Sequence, residues 1–241
     1  MNFTFGIVTG GAQNPRESIG NDEIVKRIFK IIESIEKEKI SEFEVIIVGG
    51  SNDYARYDFV EHIDFEEPAS NGNPGITKKK NIITSLSKYE NIVYMHDYFS
   101  LGDNWYESIL NFEKPWDLMM NKIIDINGNR FHDWVLYWDN HSILMQNTTQ
   151  TFLPYHVENL SKYQYISGGY WIAKKYVMEE FPLDESIGWG DGEDVRWSKK
   201  VLNKYSYKMN EKALVKLLKP RFANEWSVIS EENIKILQQS L

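Results

Sequence analysis

The chain of 241 residues contains no cysteine, which excludes disulfides, thiolate zinc sites and a cysteine nucleophile. No apolar run approaches the roughly 18 residues that a membrane-spanning helix needs. The opening stretch MNFTFGIVTGG has neither the cationic nor the sustained apolar segment of a secretory signal. The expectation is a soluble, cytoplasmic protein. Positive charge is in the minority: 27 Lys+Arg stand against 35 Asp+Glu, a formal net charge of −8. That balance argues against a surface built to neutralise nucleic-acid phosphates, but it leaves room for a local basic patch around a nucleotide. Repeats, low-complexity segments and long linkers are absent, and the length suits one α/β domain. What the chain has in quantity is aromatic side chains, 14% of all residues, within an ordinary globular composition of 42% hydrophobic and 26% charged. Aromatics serve core packing and sugar stacking alike, so their number does not choose between them.

The first hundred residues alternate strand and helix signals. Phe5–Thr9 reads as a buried strand ending in Gly10-Gly11. A helix capped by Asn21 or Asp22 follows, with Ile24, Ile28, Ile31, Ile32 and Ile35 at helical spacing. Phe43–Val48 is a second strand, with Gly49-Gly50-Ser51-Asn52-Asp53 as its turn, and residues 75–88 hold a further helical pattern. Asn91–Met95 is a third strand, running into His96-Asp97. Such alternation predicts a mostly parallel sheet covered by helices, whose ligands bind beyond the carboxyl ends of the strands. Thr9–Gly11, Gly49–Asp53 and His96–Tyr98 therefore carry the most functional weight. In the second half, Asn127-Gly128 marks a hairpin between segments 117–126 and 130–137. Residues 138–162 read as a loop region, 165–173 as strand-like, 193–202 as a helix with an acidic start, and the tail as a strand with one or two helices.

Four segments hold candidate chemistry. In Tyr94-Met95-His96-Asp97-Tyr98, Asp97 would project over the sheet edge, where a carboxylate can hold a divalent cation against a diphosphate. Hard cations favour such oxygen ligands. His96 is a second ligand or a phosphate donor, unless the pair is only a cap and a packed imidazole. In Gly188-Trp189-Gly190-Asp191-Gly192-Glu193-Asp194, glycines permit close approach of a ligand and Trp189 offers a face to a sugar ring. An acid at a helix N-terminus suits a carboxylate that takes a proton from a hydroxyl, against the simpler reading of an acidic cap. Gly168-Gly169-Tyr170-Trp171 suggests a bulge or close ligand approach inside a strand, or merely a bend. Of Lys78-Lys79-Lys80, with Arg16 near the first loop, one at most is expected to meet a phosphate, because charge runs are usually solvated helix faces.

In this order the segments resemble the glycosyltransferases of the GT-A fold, most similar to the family-2-type inverting enzymes, over about residues 3 to 203. The resemblance implies an α/β fold with a mostly parallel Rossmann-like central sheet and a small antiparallel element in the second half. It implies a single domain, residues 1–100 binding the nucleotide and residues 101–241 the acceptor. Thr9, Gly10, Gly50, Ser51, Asp53, Lys80, Asn81, His96 and Asp97 would then contact the donor, with Asp97, at the D-x-D position, binding Mn²⁺ or Mg²⁺. Asp194 would be the catalytic base and Glu193 would bind the acceptor or orient the base. Gly168, Gly169, Tyr170, Trp189 and Asp191 would line the acceptor side. The implied partners are a nucleotide-sugar and a glycan or lipid-linked acceptor, in surface-polysaccharide synthesis. A lipid-linked acceptor leaves peripheral membrane contact open, though no clear basic amphipathic helix advertises it, and the charge balance gives no nucleic-acid partner. The chain departs from the pattern in places. Val48-Gly49 replace the acids that read uracil, Met95-His96-Asp97 keeps one acid of the D-x-D motif, and no histidine follows His156.

Two other readings compete. Thr9-Gly10-Gly11-Ala12 and Tyr170-x-x-x-Lys174 imitate the short-chain dehydrogenases, which bind NAD(P). Yet Asn14 and Arg16 stand where that dinucleotide loop continues with glycine, the Tyr-Lys pair lies in a strand-like segment, and only 6 alanines are present. The third reading is a catalytically inactive GT-A-like domain that only binds a glycan or a partner. The Glu193-Asp194 pair at a Gly-rich turn argues against it.

Overall fold

The computed structural model of the chain describes residues 1–10, 21–50, 54, 56–66, 75–137, 150–158, 160, 162–187, 192–221 and 226–239. The first half alternates β1 (Phe3–Val8), α1 (Asn21–Lys37), β2 (Phe43–Val48), β3 (Val60–Ile63), α2 (Ile76–Leu86) and β4 (Asn91–His96). These strands lie in the order β3-β2-β1-β4, every neighbour parallel. β1 and β4 are buried along their whole length, as continuous apolar runs covered on both faces must be. The five isoleucines of α1 named above are all buried and form its core-facing stripe.

The second half adds β5 (Phe99–Leu101), α3 (Trp105–Leu110), β6 (Leu118–Ile124), β7 (Val135–Tyr137), β8 (Gln150–Phe152) and β9 (Gln164–Tyr165). It continues through β10 (Tyr170–Lys174), α4 (Lys175–Glu180), α5 (Glu193–Val201), β11 (Tyr207–Leu217) and α6 (Glu231–Gln239). The eight-stranded sheet runs β3-β2-β1-β4-β10-β6-β11-β5. β10 is antiparallel to both β4 and β6, β11 is parallel to β6, and β5 closes the edge antiparallel to β11. A separate antiparallel sheet, β8-β7-β9, carries the small second-half element. The result is the expected α/β architecture with a mostly parallel sheet. No helix among the described residues is long and apolar enough to cross a membrane.

Four local expectations change. β3, with the half-exposed sequence VEHI, lacks the apolar run that announces its neighbours, so the strand at Asn91 is the fourth rather than the third. Gly128 does adopt a turn conformation, φ +83°, and Ile124 bridges Arg130. Beyond that bridge the chain leaves the main sheet and builds β7 in the other one. Gly168-Gly169 is the turn between β9 and β10 rather than a bulge within one strand. The loop region expected at 138–162 includes a strand, β8, while residues 138–149 lie outside the described residues.

Glycine 6 sets the depth of the helix that matters most. A Cβ there would lie 2.3 Å from Ile83 Cγ2, so its absence lets α2 sit directly on β1. That contact brings the N-terminal turn of α2, with its lysines, over the carboxyl ends of β1 and β4.

Candidate active site

At the carboxyl edge, β1 leads into Thr9, and β4, ending at His96, leads into Asp97. Asp97 is 8% exposed. Its Oδ2 accepts the Thr9 hydroxyl at 2.8 Å, and its Oδ1 lies 3.8 Å from the Arg27 guanidinium. Arg27 sits on the buried stripe of α1, three residues after Ile24 and four before Ile31, and is 2% exposed. Burial pushes the Asp97 carboxyl above its ordinary range, while Arg27, the Thr9 hydroxyl and Lys79 hold it down. Lys79 donates to the Thr9 carbonyl at 2.7 Å. Gly49, φ +91°, passes so close that a Cβ would lie 2.5 Å from that same oxygen.

A second group forms around Gly168. Lys80 Nζ donates to the Gly168 carbonyl at 2.7 Å, and Asp194 Oδ2 accepts the Gly168 N–H at 2.9 Å. A Cβ on Gly168 would lie 3.1 Å from Asp194 Oδ2 and 3.3 Å from Glu193 Oε1, so both carboxylates press on this bare backbone. Asp194 Oδ1 accepts the Val195 N–H at 2.8 Å, in the first turn of α5. Ser198 locks that helix in place, donating to the Asp194 carbonyl at 2.6 Å and accepting the Ile166 N–H at 2.8 Å. Burial raises the Asp194 carboxyl, opposed by the backbone N–H groups and Lys80. Burial pulls Lys80 down to about 8, against the pull of Glu193 and Asp194. Its ammonium also lies 4.5 Å from the Trp171 ring centroid.

The third group joins β4 to the segment after β11. Arg221 donates to the Tyr98 hydroxyl at 2.8 Å, and that hydroxyl lies 3.0 Å from His96 Nδ1. Lys219 Nζ stands 3.8 Å above the Tyr98 ring. Burial holds the His96 imidazole neutral, helped by the charges of Lys80, Arg221 and Lys79. The same burial lowers Lys219 to about 7, and Arg221 lowers it further. Burial lifts the Tyr98 phenol to about 12.

The structure therefore brings together Thr9, Lys80, His96, Asp97, Gly168, Glu193 and Asp194. The lysine run is not a solvated face: Lys79 and Lys80 are both buried and tied to the site, and only Lys78 is exposed. Gly10 has open space around it, whereas Gly50, φ +81°, packs against Thr9 and Tyr54. Asn81 turns away from the donor side and clamps Leu183, accepting its N–H at 3.0 Å and donating to its carbonyl at 2.8 Å. Gly169 lies against Phe99, 2.8 Å from where its Cβ would be. Tyr170 is fully buried, its hydroxyl on Asn121 and Trp105, which places it in the core and not on a pocket wall. Trp171 likewise stacks on Tyr94 at 4.8 Å. His156 is 70% exposed at its side chain and pairs with Glu231, away from Asp97. Gly11, Ala12, Asn14, Arg16, Ser51, Asp53, Trp189 and Asp191 lie outside the described residues. Arg27, Lys219 and Arg221 escaped the sequence reading, which named Lys79 and Tyr98 only as members of their segments. Arg27 alone left a signal there, its place on the isoleucine stripe.

Tyr170 and Lys174 stand on a strand, so the geometry of the dehydrogenase pair, carried on a long helix, is not present. A divalent cation does not fit Asp97 as it stands. One carboxylate oxygen is engaged by a hydroxyl and the other faces a guanidinium. Among the described residues no three His, Asp or Glu side chains gather as a donor set.

An open, mostly parallel sheet, with an antiparallel strand inserted beyond β4 and an acid-led helix over the carboxyl edge, is the GT-A architecture. Solved structures bear this out. S. aureus TarS 1–349 in complex with UDP-GlcNAc matches with a TM-score of 0.57 and 15% identity, over 100% of this chain and 65% of that one. HddC from Yersinia pseudotuberculosis matches over 100% of both chains, with a TM-score of 0.50 and 13% identity. GalNAc-T7 with UDP, GalNAc and Mn²⁺ matches with a TM-score of 0.59 and 12% identity, over 94% of this chain and 45% of that one. The chain thus spans less than two thirds of the length of the TarS structure. No protein-family model and no curated protein matches the sequence. The likeness is one of fold: this is a GT-A-type chain.

Proposed function

We propose that the chain is a nucleotide-sugar-dependent glycosyltransferase that moves a sugar onto a hydroxyl of a glycan or lipid-linked acceptor, with inversion. One observation carries the reading: Asp194 and Lys80 meet on the one residue Gly168, Asp194 at its N–H and Lys80 at its carbonyl, at the edge where GT-A sheets hold their ligands. The UDP-GlcNAc in the TarS structure and the UDP and GalNAc in the GalNAc-T7 structure support the substrate class. The donor half is residues 1–100 and the acceptor half residues 101–241.

In the reaction the acceptor oxygen attacks the anomeric carbon as its proton passes to Asp194. The bond from that carbon to the diphosphate oxygen breaks, and the diphosphate leaves with the electron pair. General-base catalysis of this kind typically contributes about 10²–10⁴-fold. Glu193, on the same turn of α5, orients the base or the acceptor. Preorganised cations at the departing charge lower the barrier without reorganising, and Lys80 and Arg221 stand where they can do so. No step is routed through a divalent cation.

Asp194→Asn tests the assignment. Transfer should fall by about 10²-fold or more, while the dissociation constant for the nucleotide-sugar stays within a few-fold of wild type. Wild-type activity in this variant would sink the role of Asp194. Donor binding by the wild type with neither transfer nor hydrolysis would make the chain a binding module. The anomeric configuration of the product, read by NMR, tests inversion.

A further inference from the structure

His96 carries a buried nitrogen that the reaction as described leaves unused. It is 9% exposed, and its Nε2 has no hydrogen-bond partner among the described residues. A buried polar group in that condition calls for a ligand, a water or an ion.

The neighbours determine what kind of partner it wants. Arg221 is a donor only, so its 2.8 Å contact uses a lone pair of the Tyr98 oxygen. The one proton of that phenol then has a single acceptor within reach among the described residues, His96 Nδ1 at 3.0 Å. With Nδ1 accepting, the neutral ring carries its proton on Nε2, which is a donor. That N–H sits in the field of Lys79, Lys80 and Arg221, all positive. A donor set among cations rejects a metal ion and selects an anion with several acceptor oxygens. The Asp97 carboxylate does not meet this demand, being held by Thr9 and Arg27.

We infer that His96 donates its Nε2–H to a phosphate oxygen of the nucleotide, that Arg221 and Tyr98 position it by fixing its tautomer, and that these groups with Lys80 bind a nucleoside diphosphate without a divalent cation. This rests on the transferase reading and adds to it how the leaving group is held. His96 and Lys80 contact the phosphates directly. Tyr98 acts through His96.

Calorimetric titration of UDP, GDP, CDP, ADP and dTDP, each in EDTA and in Mn²⁺, separates the outcomes. The preferred diphosphate is expected to bind in EDTA within about threefold of its affinity in Mn²⁺. His96→Leu should weaken it at least about tenfold, and His96→Gln, which can return an N–H donor, should recover part of the loss. Long-range ¹⁵N–¹H spectra of the imidazole supply a readout that a merely structural role would not move, and they stand even where His96→Leu fails to fold. The wild type should show the Nε2–H tautomer. Tyr98→Phe should populate the other tautomer and weaken diphosphate binding together. Binding seen only with Mn²⁺, or an Nδ1–H tautomer in the wild type, would overturn this inference and leave the transferase standing. No binding of any of the five in either buffer would overturn both.

Discussion

Asp194, Lys80 and Lys219 titrate away from the values of their free counterparts, and the consequences are measurable. Burial raises the Asp194 carboxyl above its ordinary value of 3.8, so the acid limb of kcat/KM should lie above that pH. Burial and Arg221 bring Lys219 down to about 7, and Lys80 sits at about 8. Both are cations below those values and lose their charge as pH rises through them. Donor affinity should therefore fall between about pH 7 and about pH 9, giving a bell-shaped profile. A profile flat to about pH 10 would contradict this.

Lys80 also carries a cost in stability. Its folded pKa lies below the ordinary 10.5, so the unfolded chain binds the proton more tightly and stability rises with pH from about 8 to about 10.5. At neutral pH the buried charge costs about 3 kcal/mol before its hydrogen bond and the Trp171 contact are counted. Lys80→Met should melt at or above the wild-type temperature while losing diphosphate binding. A large drop in melting temperature would mean that the lysine is structural.

Between elements, two contacts decide whether the site is assembled. Gly6→Ala would push a methyl into Ile83, 2.3 Å away. Overpacking of this kind costs about 1–3 kcal/mol, and it should displace α2 and with it Lys79 and Lys80. The expected result is a lower urea midpoint together with weaker donor binding. Asp133, fully buried, joins the small sheet to the large one. It accepts Arg130 Nε at 2.6 Å, the Tyr155 hydroxyl at 2.8 Å and the Ile123 N–H of β6 at 3.2 Å. Asp133→Ala leaves Arg130 without its counter-charge, a loss of about 3–5 kcal/mol. Denaturant unfolding would measure it, and a change under about 1 kcal/mol would show that the pair is dispensable.

For the whole molecule, a ligand that binds only the folded chain at about 100 times its dissociation constant adds roughly 2.7 kcal/mol. For a chain of this size that is a rise of roughly 5–11 °C in melting temperature, large enough for a thermal-shift screen of nucleotide-sugars to identify the donor base. The net charge of −8 makes the same screen selective. Single-stranded DNA should give no shift at physiological salt, because a polyanion needs a continuous basic surface and a diphosphate needs only a local one.

Much of this architecture was written locally. The FGIV and EVIIV runs, the isoleucine spacing of α1 and the acids opening α5 each report the division between core and solvent over a few residues, so strands, helices and the parallel sheet could be read directly. So could the positions of Asp97 and Asp194, one just past a strand end and the other in the first turn of a helix. The cation cluster could not be read. Lys80 meets a carbonyl 88 positions away, and Arg221 meets Tyr98 across 123 positions. Those meetings depend on β10 returning antiparallel against β4, and on the chain beyond β11 and β5 folding over β4's end. Periodicity tells a side chain which face to take. Only the order of strands in the sheet decides which charges share one place, and so whether a lysine run is a wet surface or a buried cluster of cations.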